Sequence, residues 1–274
     1  MLKRINLGCG NIYIADKDWI NYDYNPINSS VKRADLLDHL PISDNSAELV
    51  YSSHFFEHIP RSKVSYFLNE CKRVLVPGGV IRLVLPDLET LCRAYLGYRE
   101  RGEHEYADIV ILQMIDQCVR QVPGGELGRL YSKIRSTEPI PLDIINFIKS
   151  QNGEDLLNKD SSLTINKNNK RNLINPIIKR FQQIWIAIVI SLLPKTFRFQ
   201  NLSLAEVGEK HHWIWDFNQI KSALEEVGFI NISRYSMGSS SIADFPFFPL
   251  DVDKEGYPRK GLESMYIEAR KPEI

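Results

Sequence analysis

The chain has 274 residues, enough for one core domain carrying an insertion rather than two equal domains. Lys plus Arg and Asp plus Glu balance at 34 each, so no global field draws the chain to nucleic acid, and the expected partner is a small molecule or glycan. Cys9, Cys71, Cys92 and Cys118 form no Cys-x-x-Cys pair, and Lys3-Arg4 leads into apolar sequence without the pattern of a secretory signal, which sets the expectation of free thiols in a cytoplasmic setting.

Ile5-Asn6-Leu7-Gly8-Cys9-Gly10-Asn11 reads as a short buried strand running into two glycines, the residue a chain needs where it turns tightly and lets a ligand approach. Trp19 to Tyr24 alternates apolar and polar residues and closes at Asn25-Pro26, a second strand with Asp23 near its carboxyl end. An acid placed there can accept both hydroxyls of a ribose. It follows Gly10 by only 13 residues, so the intervening helix is short or absent. Ala34-Asp35-Leu36-Leu37 is predicted as a brief third strand and Leu49 to Phe55 as a fourth. Val64, Phe67, Leu68, Cys71, Val74 and Leu75 recur at helical spacing over Lys63 to Val76, and Pro77-Gly78-Gly79 ends that helix. Val80 to Pro86 is nearly continuously apolar, as a strand covered on both faces should be. Strand and helix alternate as in an α/β sheet.

The ordered set Asn6-Leu7-Gly8-Cys9-Gly10, Asp23, Ala34-Asp35, Ser52-Ser53-His54 with Glu57-His58, and Leu75 to Gly79 resembles the class I S-adenosylmethionine-dependent methyltransferases, and more narrowly the branch associated with sugar and polysaccharide modification. The match resumes at Gly208 to Trp213, followed by a helix from Phe217 to Val227 and strands Phe229 to Tyr235 and Glu263 to Ala269. The resemblance implies a Rossmann-like seven-stranded α/β sheet with helices on both faces, its last two strands a hairpin with one antiparallel, plus a partly helical insertion. It implies S-adenosylmethionine as cofactor: Leu7, Gly8, Cys9 and Gly10 at the methionine end, Asp23 on the ribose, Asp35 and Leu36 at the adenine, and Ser52, Ser53 and His54 beside the reacting sulfur. The product would be a methylated acceptor, expected at a hydroxyl oxygen of a sugar or sugar-containing intermediate. A hydroxyl needs help in losing its proton, and His211, His212 and Asp87 are the first candidates, with His58 next. Trp213 and Trp215 flank the histidines and could face a sugar ring or fill the core. No metal is expected, since methyl transfer can run on positioning alone.

The expected organisation is a cofactor-binding half over 1–100, an insertion or cap over 101–205, and completion of the sheet over 206–274. Residues 151–175 are rich in Asn, Lys, Asp and Ser and read as a mobile loop. Ile177 to Leu193 is apolar apart from Lys179, Arg180, Gln182, Gln183 and Ser191, yet shorter than a spanning helix. Three readings are open for it: lid or core packing, a partner or dimer surface, and peripheral contact with the inner face of a membrane, favoured by the basic residues flanking it. Two other functions compete with methyl transfer. Tyr13 and Lys17 have the Tyr-x-x-x-Lys spacing of short-chain NAD-dependent oxidoreductases, and a methyltransferase fold can also serve as a catalytically silent binding module.

Overall fold

The computed structural model describes residues 2–157, 174–205 and 208–273. Seven strands form one sheet: β1 (Lys3–Leu7), β2 (Trp19–Asp23), β3 (Val31–Arg33), β4 (Ala47–Ser53), β5 (Leu75–Pro86), β6 (Ile230–Tyr235) and β7 (Ser264–Arg270). Their order is β3-β2-β1-β4-β5-β7-β6. The first five strands are parallel, and β7 runs antiparallel to both β5 and β6. This is the expected class I methyltransferase sheet, with its closing hairpin. Parallel strands place all their carboxyl ends on one rim, where open α/β sheets bind ligands.

Alternation within the central strands sorts the core into two layers. Val50 of β4 and Ile81, Leu83 and Leu85 of β5 face the layer packed under α1 (Arg61–Val74) and α8 (Phe217–Glu226), where Phe67, Leu68, Cys71, Ile220 and Leu224 are buried. Leu49, Tyr51 and Val84 face the other way, against Phe245, Leu250 and Tyr266. Arg82 shares that second face and is fully buried. Its guanidinium donates from Nε and Nη2 to Asp251 Oδ2 (2.9 and 2.7 Å) and from Nη1 to Glu268. The same group lies over the Phe245 and Tyr266 rings, and Tyr51 Oη donates to the second Asp251 oxygen at 2.8 Å. A buried charge survives only when paired and hydrogen-bonded, and here three distant stretches of chain meet to do so.

Helix ends follow their caps. Asp87 stops β5 and starts α2 (Leu88–Glu100) by accepting from the Glu89 N–H, and Asp216 starts α8 by accepting from the Gln219 N–H. The insertion adds α3 (His104–Val119), α4 (Gly125–Ser136) and α5 (Leu142–Asn152), which share a small core of their own around Ile109, Ile134, Ile144, Ile145 and Ile148. No helix intervenes between β1 and β2. The third strand lies at 31–33 instead of 34–37: Asp35 makes a turn, its Oδ1 accepting from the Leu37 N–H, and so ends extended structure. Most of the loop expected over 151–175 falls outside the described residues, whereas 174 and 175 open α6 (Ile174–Leu192). That helix is followed by α7 (Lys195–Asn201). Lid or core packing does not hold for α6, because Phe181, Ile184, Trp185, Ile186, Ile188, Val189 and Leu192 are all exposed. No described helix is long and apolar enough to cross a membrane.

Candidate active site

Where β1 leaves the sheet, Gly8 takes φ +69°, and a Cβ there would come within 2.7 Å of the Phe55 side chain. Only glycine fits. Gly10, at φ +51°, faces open space, so the loop keeps one side clear. Asp23 ties this loop to the end of β2: its Oδ2 accepts from the Gly10 N–H at 2.9 Å and its Oδ1 from the Asn25 N–H at 2.8 Å. A cavity of about 470 Å³ opens beside it, lined by Gly8, Asp23, Asp35, Leu36, His54 and Phe55 among others. That size is within the range of small-molecule sites.

Of the residues expected at the cofactor, Gly8, Asp23, Asp35, Leu36 and His54 line this cavity. Leu7 and Ser52 lie buried beneath it, the Ser52 hydroxyl donating to the Leu7 carbonyl at 3.0 Å. Cys9 is buried too, and desolvation together with the Asp23 charge pushes its thiol up to about 12, so it fills space as an inert thiol. Gly10 and Ser53 border the loop and the strand end without lining the cavity. The set fits S-adenosylmethionine: a carboxylate for ribose hydroxyls, apolar Leu36, Leu37 and Phe55 for a base, and a glycine loop open to close approach.

A second, polar chamber of about 560 Å³ shares His54, His58 and Gly208 with the first. Five stretches of chain build it. His54 directly follows β4 in the left-handed region (φ +49°), a conformation that non-glycine residues hold mainly where surrounding structure enforces it. Glu57 and His58 come from the 3-10 turn Phe56–His58, Arg120 and Tyr131 from the insertion, His211 from the loop before α8, and Lys260 and Glu263 from the approach to β7. The loop is pinned by its backbone, His211 N–H to the Gln117 carbonyl (3.0 Å) and His212 N–H to the Glu57 carbonyl (2.8 Å).

The chamber separates the two adjacent histidines. His211 is buried and turned inward, its Nε2 3.9 Å from Glu57 Oε1 and its ring against that of His58. His212 is exposed and lines neither cavity. Asp87 lines neither as well: its carboxylate accepts from the Glu89 N–H, the Thr90 hydroxyl and Arg234, a helix cap held in an ion pair. Trp215 is buried edge-on to Phe56, and Trp213 packs under the Arg61 guanidinium, so neither offers a sugar platform in the chamber. Burial, reinforced by surrounding positive groups, holds the imidazoles down to about 4 for His58 and about 3 for His211, leaving both neutral near pH 7. Burial raises Glu57 and Glu263 to about 8 each and lowers Lys260. Tyr13 and Lys17 lie in the non-helical segment between β1 and β2 and share no helix face, which removes the geometry the oxidoreductase reading requires.

Residues 7–83, from the end of β1 into β5, match the family model described as a methyltransferase domain. Three solved structures give the scale of the likeness. A candidate sarcosine dimethylglycine methyltransferase from Galdieria sulphuraria is 25% identical over 31% of this chain and 39% of its own, with a TM-score of 0.27. S-adenosylmethionine-dependent methyltransferases from Archaeoglobus fulgidus and Mesorhizobium loti are 12% and 15% identical, each over 98% of this chain and over 86% and 90% of theirs, with TM-scores of 0.38 and 0.36. Likenesses of that size add nothing to the sheet order itself. No curated protein matches the chain. Sheet order, glycine loop and family match agree on a methyltransferase domain over residues 7–83, for which S-adenosylmethionine is the cofactor.

Proposed function

We propose that the protein transfers the methyl group to a hydroxyl oxygen of a sugar or sugar-containing intermediate held in the polar chamber. The observation that carries this reading is the chamber itself, which borders the cofactor cavity at His54 and His58 and is lined by hydrogen-bonding groups, among them Gln117, Tyr131, Asn152 and Glu154. A polyhydroxylated acceptor suits such walls; an apolar one would strand buried polar atoms. S-adenosylmethionine supplies an electrophilic methyl carbon, and the protein's part is to align an acceptor oxygen with it and assist loss of the hydroxyl proton. Incubation with S-adenosylmethionine and a panel of nucleotide sugars and free glycans should give a methyl ether and S-adenosylhomocysteine in equal amounts. Transfer only to nitrogen or carbon acceptors would replace this reading, and cofactor binding without transfer to any acceptor would favour a silent binding module.

Asp23 is assigned to the ribose hydroxyls. Asp23→Ala should weaken S-adenosylmethionine binding by about 1–3 kcal/mol, the worth of hydrogen bonds to a charged group, as read by isothermal titration. An unchanged dissociation constant would leave Asp23 as a turn residue that only braces Gly10.

The acceptor also bears on α6, to which we assign peripheral contact with an anionic membrane surface. Residues 161–205 hold seven Lys and Arg residues and no Asp or Glu, although the whole chain balances. An exposed apolar helix inside a wholly basic stretch matches lipid headgroups that carry negative charge, each basic side chain near them adding about 1 kcal/mol. The protein should co-sediment with phosphatidylserine-containing vesicles at low salt and release at high salt, and Trp185→Glu should abolish the pelleting. No pelleting, together with concentration-dependent dimerisation, would assign the face to a second copy instead.

A further inference from the structure

We propose that Glu57, His58 and His211 form a binding site for a divalent first-row transition-metal ion of the zinc class, set in the wall of the polar chamber. The assignment starts from Glu57. Its side chain is 1% exposed, and neither carboxylate oxygen has a hydrogen-bond partner, a state that calls for a proton, a water or an ion at the site. The groups nearest to it are imidazoles: His54 Nδ1 at 3.4 Å and His211 Nε2 at 3.9 Å. One donor atom from each of Glu57, His58 and His211 falls within 4.8 Å of the other two. Ligands around a tetrahedral ion stand roughly 3.3 Å apart, given bond lengths near 2.0–2.2 Å, so about an ångström of side-chain rotation closes the set.

The surroundings orient these groups as ligands. His58 Nδ1 lies 3.0 Å from the Lys210 carbonyl, which can only accept, so the proton sits on Nδ1 and the Nε2 lone pair is free to bind an ion. The His211 backbone is fixed to α3 through Gln117, and that of Glu57 to the same loop through His212. Two imidazole nitrogens and one carboxylate oxygen make a donor set suited to zinc, cobalt, iron(II) or manganese, and three protein ligands leave the remaining positions open to the cavity. Lys260 lines the same chamber, as do Arg120 and Arg135, yet it makes no hydrogen bond to Glu57. It opposes an incoming ion and so sets the affinity without filling the site.

On the reading that the acceptor occupies this chamber, an ion there would bind the reacting hydroxyl and make it more acidic. The metal alone tests the site. Protein stripped with a chelator and titrated with Co²⁺ should develop a visible d–d band at one ion per chain, and Zn²⁺ should displace it. Glu57→Gln, His58→Ala and His211→Ala, each checked for folding by circular dichroism, should weaken binding by about tenfold or more. His212→Ala should leave binding unchanged, and Lys260→Met should tighten it by relieving repulsion. Absence of a stoichiometric band in the wild type, or a Glu57→Gln variant that binds equally well, would overturn the proposal. An ion that binds while no sugar hydroxyl is methylated would leave the metal site standing and remove the acceptor reading. Sugar methylation by metal-free protein at the full rate would leave the acceptor reading standing and remove the ion from the reaction.

Discussion

His211→Ala is expected to lower turnover by about 10²–10⁴ while the S-adenosylmethionine dissociation constant stays within a few-fold of wild type, the range seen when a group assisting proton loss or holding a catalytic ion is removed. The asymmetry follows from position. His211 lines the polar chamber but not the cofactor cavity, and it touches Glu57 and His58 without touching the glycine loop. His212→Ala is the internal control, because its side chain is exposed and lines neither cavity. Steady-state kinetics with a hydroxyl acceptor, paired with calorimetry for the cofactor, read the two effects apart. Equal loss of cofactor binding and turnover in His211→Ala would place the loop at the cofactor instead. Wild-type turnover in His211→Ala would remove the chamber from the reaction.

Arg82→Ala should cost about 3–5 kcal/mol of folding stability, since it leaves Asp251 and Glu268 buried without their cation. For a domain of this size that corresponds to a fall in melting temperature of roughly 6–20 °C. Desolvation is the dominant cost, so the triple variant Arg82→Met, Asp251→Asn, Glu268→Gln should recover much of the loss by removing the charges together. Chemical denaturation of the three proteins decides the matter. A loss under about 1 kcal/mol in Arg82→Ala would mean that water reaches the carboxylates once the guanidinium is gone.

The parts legible in the sequence were those in which one physical requirement repeats along the chain. Apolar residues at helical spacing marked α1, an apolar run broken only by Arg82 marked the Val80 to Pro86 part of β5, and glycines beside an apolar strand marked the loop at Gly8. The third strand was misplaced because it is a three-residue edge with exposed Lys32 and Arg33, and it carries no apolar alternation to betray it. The chamber was legible only in fragments. His58 and His211 stand 153 positions apart and meet because the 3-10 turn and the loop before α8 hydrogen-bond to each other, a fact no spacing rule encodes. Lys260 and Glu263 lie in a stretch with no periodicity, so their place in the chamber could not be anticipated. Adjacent His211 and His212 looked equivalent until the backbone turned one in and the other out.

The position of β7 also governs how the chain can fold while it is being made. β5 ends at residue 86, but its second neighbour in the sheet spans 264–270, between it and β6. At about 5–20 residues per second, a ribosome takes roughly ten to forty seconds to synthesise the intervening stretch. For that time the most apolar strand of the protein has one open edge, while the insertion and its exposed apolar helix emerge beside it. A nascent chain in this state presents both an unpaired edge and a greasy helix, the features that recruit holding chaperones and seed aggregates. Slow translation at low temperature should therefore reduce the soluble yield less than loss of the final dozen residues, which removes the one strand able to close the edge.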